Sequence, residues 1–136
     1  MIYLRAKLVR ILLEFFESND RRIDHALRVL HHSDCLMDNY PGCDEEVVVA
    51  VALLHDIGSK ISMEKHGVST HENQEIHGPD AAEELLLPLG YPPEKIDRIK
   101  NIIANHHSPS RYDYPELALL KTADHIVNSS TPPETA

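Results

Sequence analysis

The run Val47-Val48-Val49-Ala50-Val51-Ala52-Leu53-Leu54 constrains this chain more than any other segment. Eight consecutive apolar residues leave no polar face for water, so the segment belongs at the centre of a core. Asp44 precedes it, with Glu45 and Glu46 in the first turn, the pattern of a capped helix start. The run ends in His55-Asp56, followed by Ile57-Gly58. An imidazole and a carboxylate at the end of the most buried helix need partners. Burying a neutral polar group without one costs on the order of 2–7 kcal/mol. Neutral His and ionised Asp are both ligands for Zn, Fe and Mn, so a divalent cation is one such partner; a surface-exposed helix end is the other reading.

The remaining segments read as further helices, and none reads as a convincing strand. Leu4, Leu8, Ile11, Leu12 and Phe15 recur at helical spacing in a first helix. Ser18-Asn19-Asp20 ends it and caps a second, with Ile23, Ala26, Leu27, Leu30 and Met37 inward. Residues 58–77 are polar and carry glycines and histidines, which predicts a loop or a lid over a site. Gly78-Pro79-Asp80 opens a fourth helix that Pro88 ends. Tyr91-Pro92-Pro93-Glu94 opens a fifth with Ile96, Ile99, Ile102 and Ile103 inward, and Asn105-His106-His107 ends it. Tyr114-Pro115 opens the last, with Leu117, Leu120, Ala123 and Val127 on its apolar side. The expectation is an all-α, single-domain bundle of five to six helices over 1–128, with a polar, Pro-rich, disordered tail over 129–136.

Length and charge narrow the function. A chain of 136 residues fits one domain with a single core. No apolar stretch approaches the roughly 18–20 residues of a membrane span. The first helix is broken by Arg5, Lys7, Arg10 and Glu14, so it reads as amphipathic and not as a signal peptide. Cys35 and Cys43 make no disulfide framework, and reduced thiols in a cytoplasmic protein are the reading that follows. A net charge of −9 argues against a nucleic-acid polymer as partner. It leaves a small anionic substrate open, because bound cations invert the local potential. Nothing in the sequence reports the oligomeric state.

Histidine placement is more telling than the count of ten. His25 lies beside Ala26 and one turn before Val29. His77 precedes Gly-Pro, and His106-His107 ends a helix. Asp124, four residues after Leu120 and three before Val127, points where a core residue would. The ordered set His25, His55-Asp56 and Asp124 resembles the HD-domain superfamily of metal-dependent phosphohydrolases. The matching segments are Asp24-His25-Ala26-Leu27-Arg28-Val29, Leu53-Leu54-His55-Asp56-Ile57-Gly58 and Leu120-Lys121-Thr122-Ala123-Asp124-His125. Some branches, among them the HD-GYP phosphodiesterases and a diiron oxygenase branch, add two histidines between the pair and the last Asp. His77 and His106 match those.

The resemblance implies an HD-domain-like bundle. It also implies a binuclear site, with His25, His55, Asp56 and Asp124 on one cation and Asp56, His77 and His106 on the other. Asp56 is then shared, and His107 replaces or supplements His106. Fe, Mn, Zn, Co or Ni suit such donors. Two cations about 3.5–4 Å apart lower the pKa of a bridging water toward roughly 7 and neutralise phosphoryl charge. Arg28, one turn after His25, and Lys60, just past the pair, are candidate phosphate clamps; Lys65 and Arg111 are weaker ones. Cyclic dinucleotides fit poorly. Arg21 stands where HD-GYP proteins carry a Glu, only Asp113-Tyr114-Pro115 echoes their motif, and Lys60 sits one residue late. Three functions follow: hydrolysis of a nucleotide or other small phosphate ester, oxygenase chemistry at a mixed-valent diiron site, and non-catalytic metal or nucleotide binding.

Overall fold

A computed structural model describes residues 2–130. Seven α-helices follow one another: α1 (Leu4–Phe16), α2 (Asp20–Leu36), α3 (Glu45–Leu54), α4 (Gly58–His66), α5 (His71–Leu86), α6 (Pro93–Ile103) and α7 (Pro115–Ser130). Short 3-10 turns at Met37–Asn39 and Leu87–Leu89 follow α2 and α5. No strand occurs among the described residues. The all-α expectation holds. Of the tail expected over 129–136, residues 129 and 130 belong to α7, which runs to Ser130, and residues 131–136 lie outside the described residues.

The apolar run forms α3, and Val47 through Leu54 are all buried. The Asp44 side chain accepts from the Glu46 N–H at 2.9 Å, as the cap pattern required. Helices α1, α2, α6 and α7 pack around α3, so its C-terminal end opens onto a space ringed by other helices. The inward faces follow the apolar spacing: Leu8 and Leu12 on α1; Ile96, Ile99, Ile102 and Ile103 on α6; Leu117, Leu120, Ala123 and Val127 on α7. On α2 the buried residues are Ile23, Ala26, Val29 and Leu30, while Leu27, expected inward, is 38% exposed.

The segment expected to be a loop or lid is helical instead. Residues 58–66 form α4, and Gly67, at φ 74°, ends it in the left-handed conformation. Thr70 caps α5 by accepting from the Asn73 N–H at 3.0 Å, so that helix starts at His71, not at Pro79. Pro79 therefore sits inside a helix, without the N–H that would continue the backbone ladder. The missing bond is tolerated because α5 is held on both sides, by α4 and by α6. Its buried stripe is Gln74, Gly78, Ala82 and Leu86, one residue per turn. Against it α4 buries only Gly58, Ser59 and Ser62. The two helices cross almost backbone to backbone. A Cβ on Gly58 would lie 2.5 Å from the Gln74 carbonyl oxygen and 2.9 Å from the Gly78 nitrogen.

Candidate metal centre

Four elements bring polar side chains to the open end of α3. His25 comes from the middle of α2, His55-Asp56 from the residues just past α3, and His106-His107 from the residues just past α6. Asp124 comes from α7. His55 is fully buried, and Asp56 is 7% exposed. Adjacent helical residues point about 100° apart, so His55 and Asp56 reach one centre only because the helix ends there.

The carboxylates sit among the imidazoles. Asp124 Oδ1 lies 2.9 Å from His25 Nε2 and 3.4 Å from His55 Nε2. Asp56 Oδ2 lies 3.2 Å from His25 Nε2 and 3.5 Å from His55 Nε2. Its other oxygen, Oδ1, faces His106 Nε2 at 3.7 Å and His107 Nε2 at 4.0 Å. Asp56 thus turns one oxygen to each of two donor groups. In each group, His25-His55-Asp56 and Asp56-His106-His107, the potential ligand atoms fall within 4.8 Å of one another.

The tautomers of His55 and His106 are set from behind. His55 Nδ1 donates to the Val51 and Ala52 carbonyls at 3.1 and 3.0 Å. His106 Nδ1 donates to the Ile103 carbonyl at 2.6 Å. These carbonyls lie in the last turns of α3 and α6, and the Val51 carbonyl also accepts the His55 backbone N–H at 2.9 Å. Each ring is left with Nε2 aimed at Asp56. Both Nε2 atoms are buried and make no hydrogen bond among the described residues. A metal-ligating histidine has this arrangement, its second nitrogen anchored to a carbonyl. The donor set of imidazole and carboxylate suits a borderline divalent cation. The residues therefore fit a metal on a structural observation.

The electrostatics of the cluster follow from the same contacts. Burial works to raise Asp56, but His55, His106 and His25 outweigh it and hold the carboxyl well below its usual range. Asp124 is likewise held low against its burial, by its hydrogen bond from His25 and by the charge of His55 beside it. Burial works to lower His55, and the charges of Asp56 and Asp124 overcome it, raising the imidazole to about 9. His107 is pushed down to about 4 by burial and by the neighbouring His106 and His71.

A cavity of about 270 Å³ opens above the cluster, and Arg21, Arg22 and Arg28 of α2 stand on its wall. Arg28, a candidate clamp on the sequence, is among the residues that line this cavity. Arg22, which the sequence reading did not single out, has Nη1 3.9 Å from Asp56 Oδ2. It precedes His25 by one turn on the same face, a signal available in the sequence. His71, exposed at the start of α5, lines the cavity and stacks on His107 at 3.9 Å between ring centres. Gln74 accepts from His107 Nε2 at 2.7 Å, so that nitrogen is already engaged while His106 Nε2 is not. His106 is the better placed ligand of the two.

Two expected site residues lie elsewhere. Lys60 points to the end of α1, where its ammonium donates to the Phe15 carbonyl at 2.6 Å and sits over the Phe15 ring. The cause is local: with α4 starting at Gly58, the cation meets the negative end of α1. His77 is not at the cluster. Its Nε2 lies 2.9 Å from His66 Nε2, with ring centres 5.2 Å apart, so the two imidazoles meet end to end in a hydrogen bond. Gln74 and Gly78 take the inward face of α5, and His77 falls to the side that meets the end of α4. Cys35 is exposed, Cys43 is half-buried, and neither is bridged.

Comparison with known proteins places this centre in context. The model of the HD domain family matches residues 22–129, a span that contains every residue of the cluster. Ribonuclease Y of Aquifex aeolicus is 34% identical over 109 residues, covering 76% of this chain and 17% of that protein. The chain thus spans about a sixth of the length of that curated relative. No solved structure matches.

Proposed function

The chain belongs to the HD-domain family, a superfamily of metal-dependent phosphohydrolases, and from that premise we propose that it hydrolyses a small phosphate ester at the centre described above. The observation that carries the reading is the pair of buried, unpartnered Nε2 atoms of His55 and His106, both aimed at Asp56. His25, His55, Asp56 and Asp124 would hold one divalent cation. Asp56 with His106, and His107 beside it, would hold a second. A bound cation of this kind supplies Lewis acidity that lowers the pKa of water toward roughly 7 and offsets charge on phosphoryl oxygens.

The protein's own residues do the rest. Arg22, beside Asp56, and Arg28 and Arg21 on the same wall offer guanidinium donors to phosphate oxygens. They set a cationic patch over the site in a chain of net charge −9. The net reaction breaks the ester P–O bond, joins the water oxygen to phosphorus and passes a water proton to the leaving alcohol. The ribonuclease relative acts, by its name, on RNA, which is cleaved at the same kind of bond. The acidic chain and a cavity of about 270 Å³ favour a small phosphorylated molecule over a polymer. No described helix is long and apolar enough to cross a membrane.

The test is phosphate release from a broad ester panel by protein loaded with Mn, Fe, Co, Ni or Zn. The expected result is turnover lost on chelation and in Asp56→Ala. No release with any metal contradicts the reading. Iron retained through purification, with oxygen consumed and no phosphate released, redirects it to oxygenase chemistry.

A further inference from the structure

A second cavity, of about 490 Å³, adjoins the metal centre between the end of α1, the start of α2 and α4. Both cavities have Arg21 and Arg22 in their walls. Arg22 forms the divide, because its guanidinium also stands beside Asp56. Past that divide the wall changes character. Phe16 and Met63 give it an apolar side, and Met63 is 52% exposed. Ser18 offers a hydroxyl, and Asn19, whose Oδ1 caps α2 at the Arg22 N–H, offers its amide N–H. The remaining charges, Lys60 and Glu64, are of opposite sign, and the Lys60 ammonium is already held at the Phe15 carbonyl. Beyond the two arginines shared with the first cavity, this wall offers contact to an amphipathic neutral group and no further cationic cluster.

Resting on the phosphohydrolase reading, we propose that this groove holds the alcohol portion of the substrate. That portion is an uncharged group of sugar or nucleoside size. The phosphoryl group lies on the Asp56 side of Arg22, and the ester bond crosses at that residue. The volumes agree with the division. The outer groove falls within the roughly 300–1,000 Å³ of pockets for small organic molecules, and the cavity over the cluster falls just under it. Met63 then helps set specificity through its place on the groove wall.

The test compares kcat/KM of the metal-loaded full chain on methyl phosphate, a hexose phosphate, adenosine monophosphate and adenosine diphosphate. It is repeated in Met63→Trp, whose exposed position lets the larger ring fill the groove; an unchanged thermal midpoint checks the fold. The hexose phosphate or the monophosphate is expected to exceed methyl phosphate by about tenfold or more, the scale on which pocket contacts discriminate. The diphosphate is expected not to exceed the monophosphate. In Met63→Trp the preference over methyl phosphate collapses, mainly through KM. Equal values for small and large esters, a preference for the diphosphate, or a preference that survives Met63→Trp overturns the groove assignment and leaves the hydrolase reading in place. Release from no ester removes both.

Discussion

Metal binding should stabilise this fold by an amount that the structure bounds. His55 Nε2 and His106 Nε2 are buried and have no hydrogen-bond partner among the described residues. A neutral group so placed costs about 1–3 kcal/mol; at His55 the charges of Asp56 and Asp124 offset it, so the relievable cost falls on His106. A cation that binds only the folded state, at about a hundredfold over its Kd, stabilises by about 2.7 kcal/mol. For a domain of this size 1 kcal/mol moves the thermal midpoint by about 3–6 °C. Saturating metal should therefore raise the midpoint by about 8–16 °C. The assay is differential scanning calorimetry of chelator-stripped protein, with each of Mn, Fe, Co, Ni and Zn added at millimolar concentration. His106→Ala should shrink the rise, because it removes one aimed donor, and His77→Ala should leave it intact. A midpoint that none of the five metals moves, or a rise abolished by His77→Ala and kept by His106→Ala, refutes the reasoning.

Three further outcomes follow from particular contacts. In the metal-free protein His55 is raised to about 9, above its ordinary 6.5, so the stability its ion pairs contribute is fully present below about 6.5 and is lost as pH rises through about 9. Metal must displace that proton. Its affinity should climb with pH across the same window, with proton release measurable by calorimetry in buffers of different ionisation enthalpy; a pH-independent affinity would contradict this. Gly58→Ala should destabilise by about 1–3 kcal/mol or more, because the new Cβ meets backbone atoms of α5 that cannot swing aside. Gly78→Ala meets only the Ile103 side chain, at 2.8 Å, and should cost less; urea midpoints compare the two. Arg22→Ala should lower kcat/KM on a phosphate ester by about tenfold to a hundredfold, as loss of a charge-assisted contact of about 1.5–3 kcal/mol requires. Unaltered kinetics would remove Arg22 from the site.

The parts of the fold legible in the sequence are those built from large apolar residues at a regular period. The α3 run, the isoleucines of α6 and the leucines of α7 each declared a buried face, and His25 and Asp124 stood out because they interrupt such faces. The α4–α5 pair was hidden for the converse reason. Its contact is made of Gly58, Ser59, Ser62, Gln74 and Gly78, residues that close pairing of backbones demands and hydrophobic periodicity does not register. The error at His77 follows from that gap. A helix start read at Pro79 leaves His77 as a free cap, whereas Thr70 with Glu72 in the first turn is the stronger start signal, and it turns His71 and Gln74 toward the site. Lys60 was misplaced for the same reason, since its direction depends on a helix beginning at Gly58. The sharing of Asp56 between two donor groups was expected from the family resemblance, and the fold brings His106 and His107, without His77, to its second oxygen.

The central claim is that Asp56 anchors a metal centre built from His25, His55, Asp56, Asp124 and His106. Metal content per chain by mass spectrometry, on protein purified without chelator, tests it most directly when wild type, Asp56→Ala and His77→Ala are run side by side. The account predicts bound transition metal in wild type, the same content in His77→Ala, and its loss in Asp56→Ala. Wild-type protein that holds no metal even after reconstitution, or Asp56→Ala that holds as much as wild type, contradicts it.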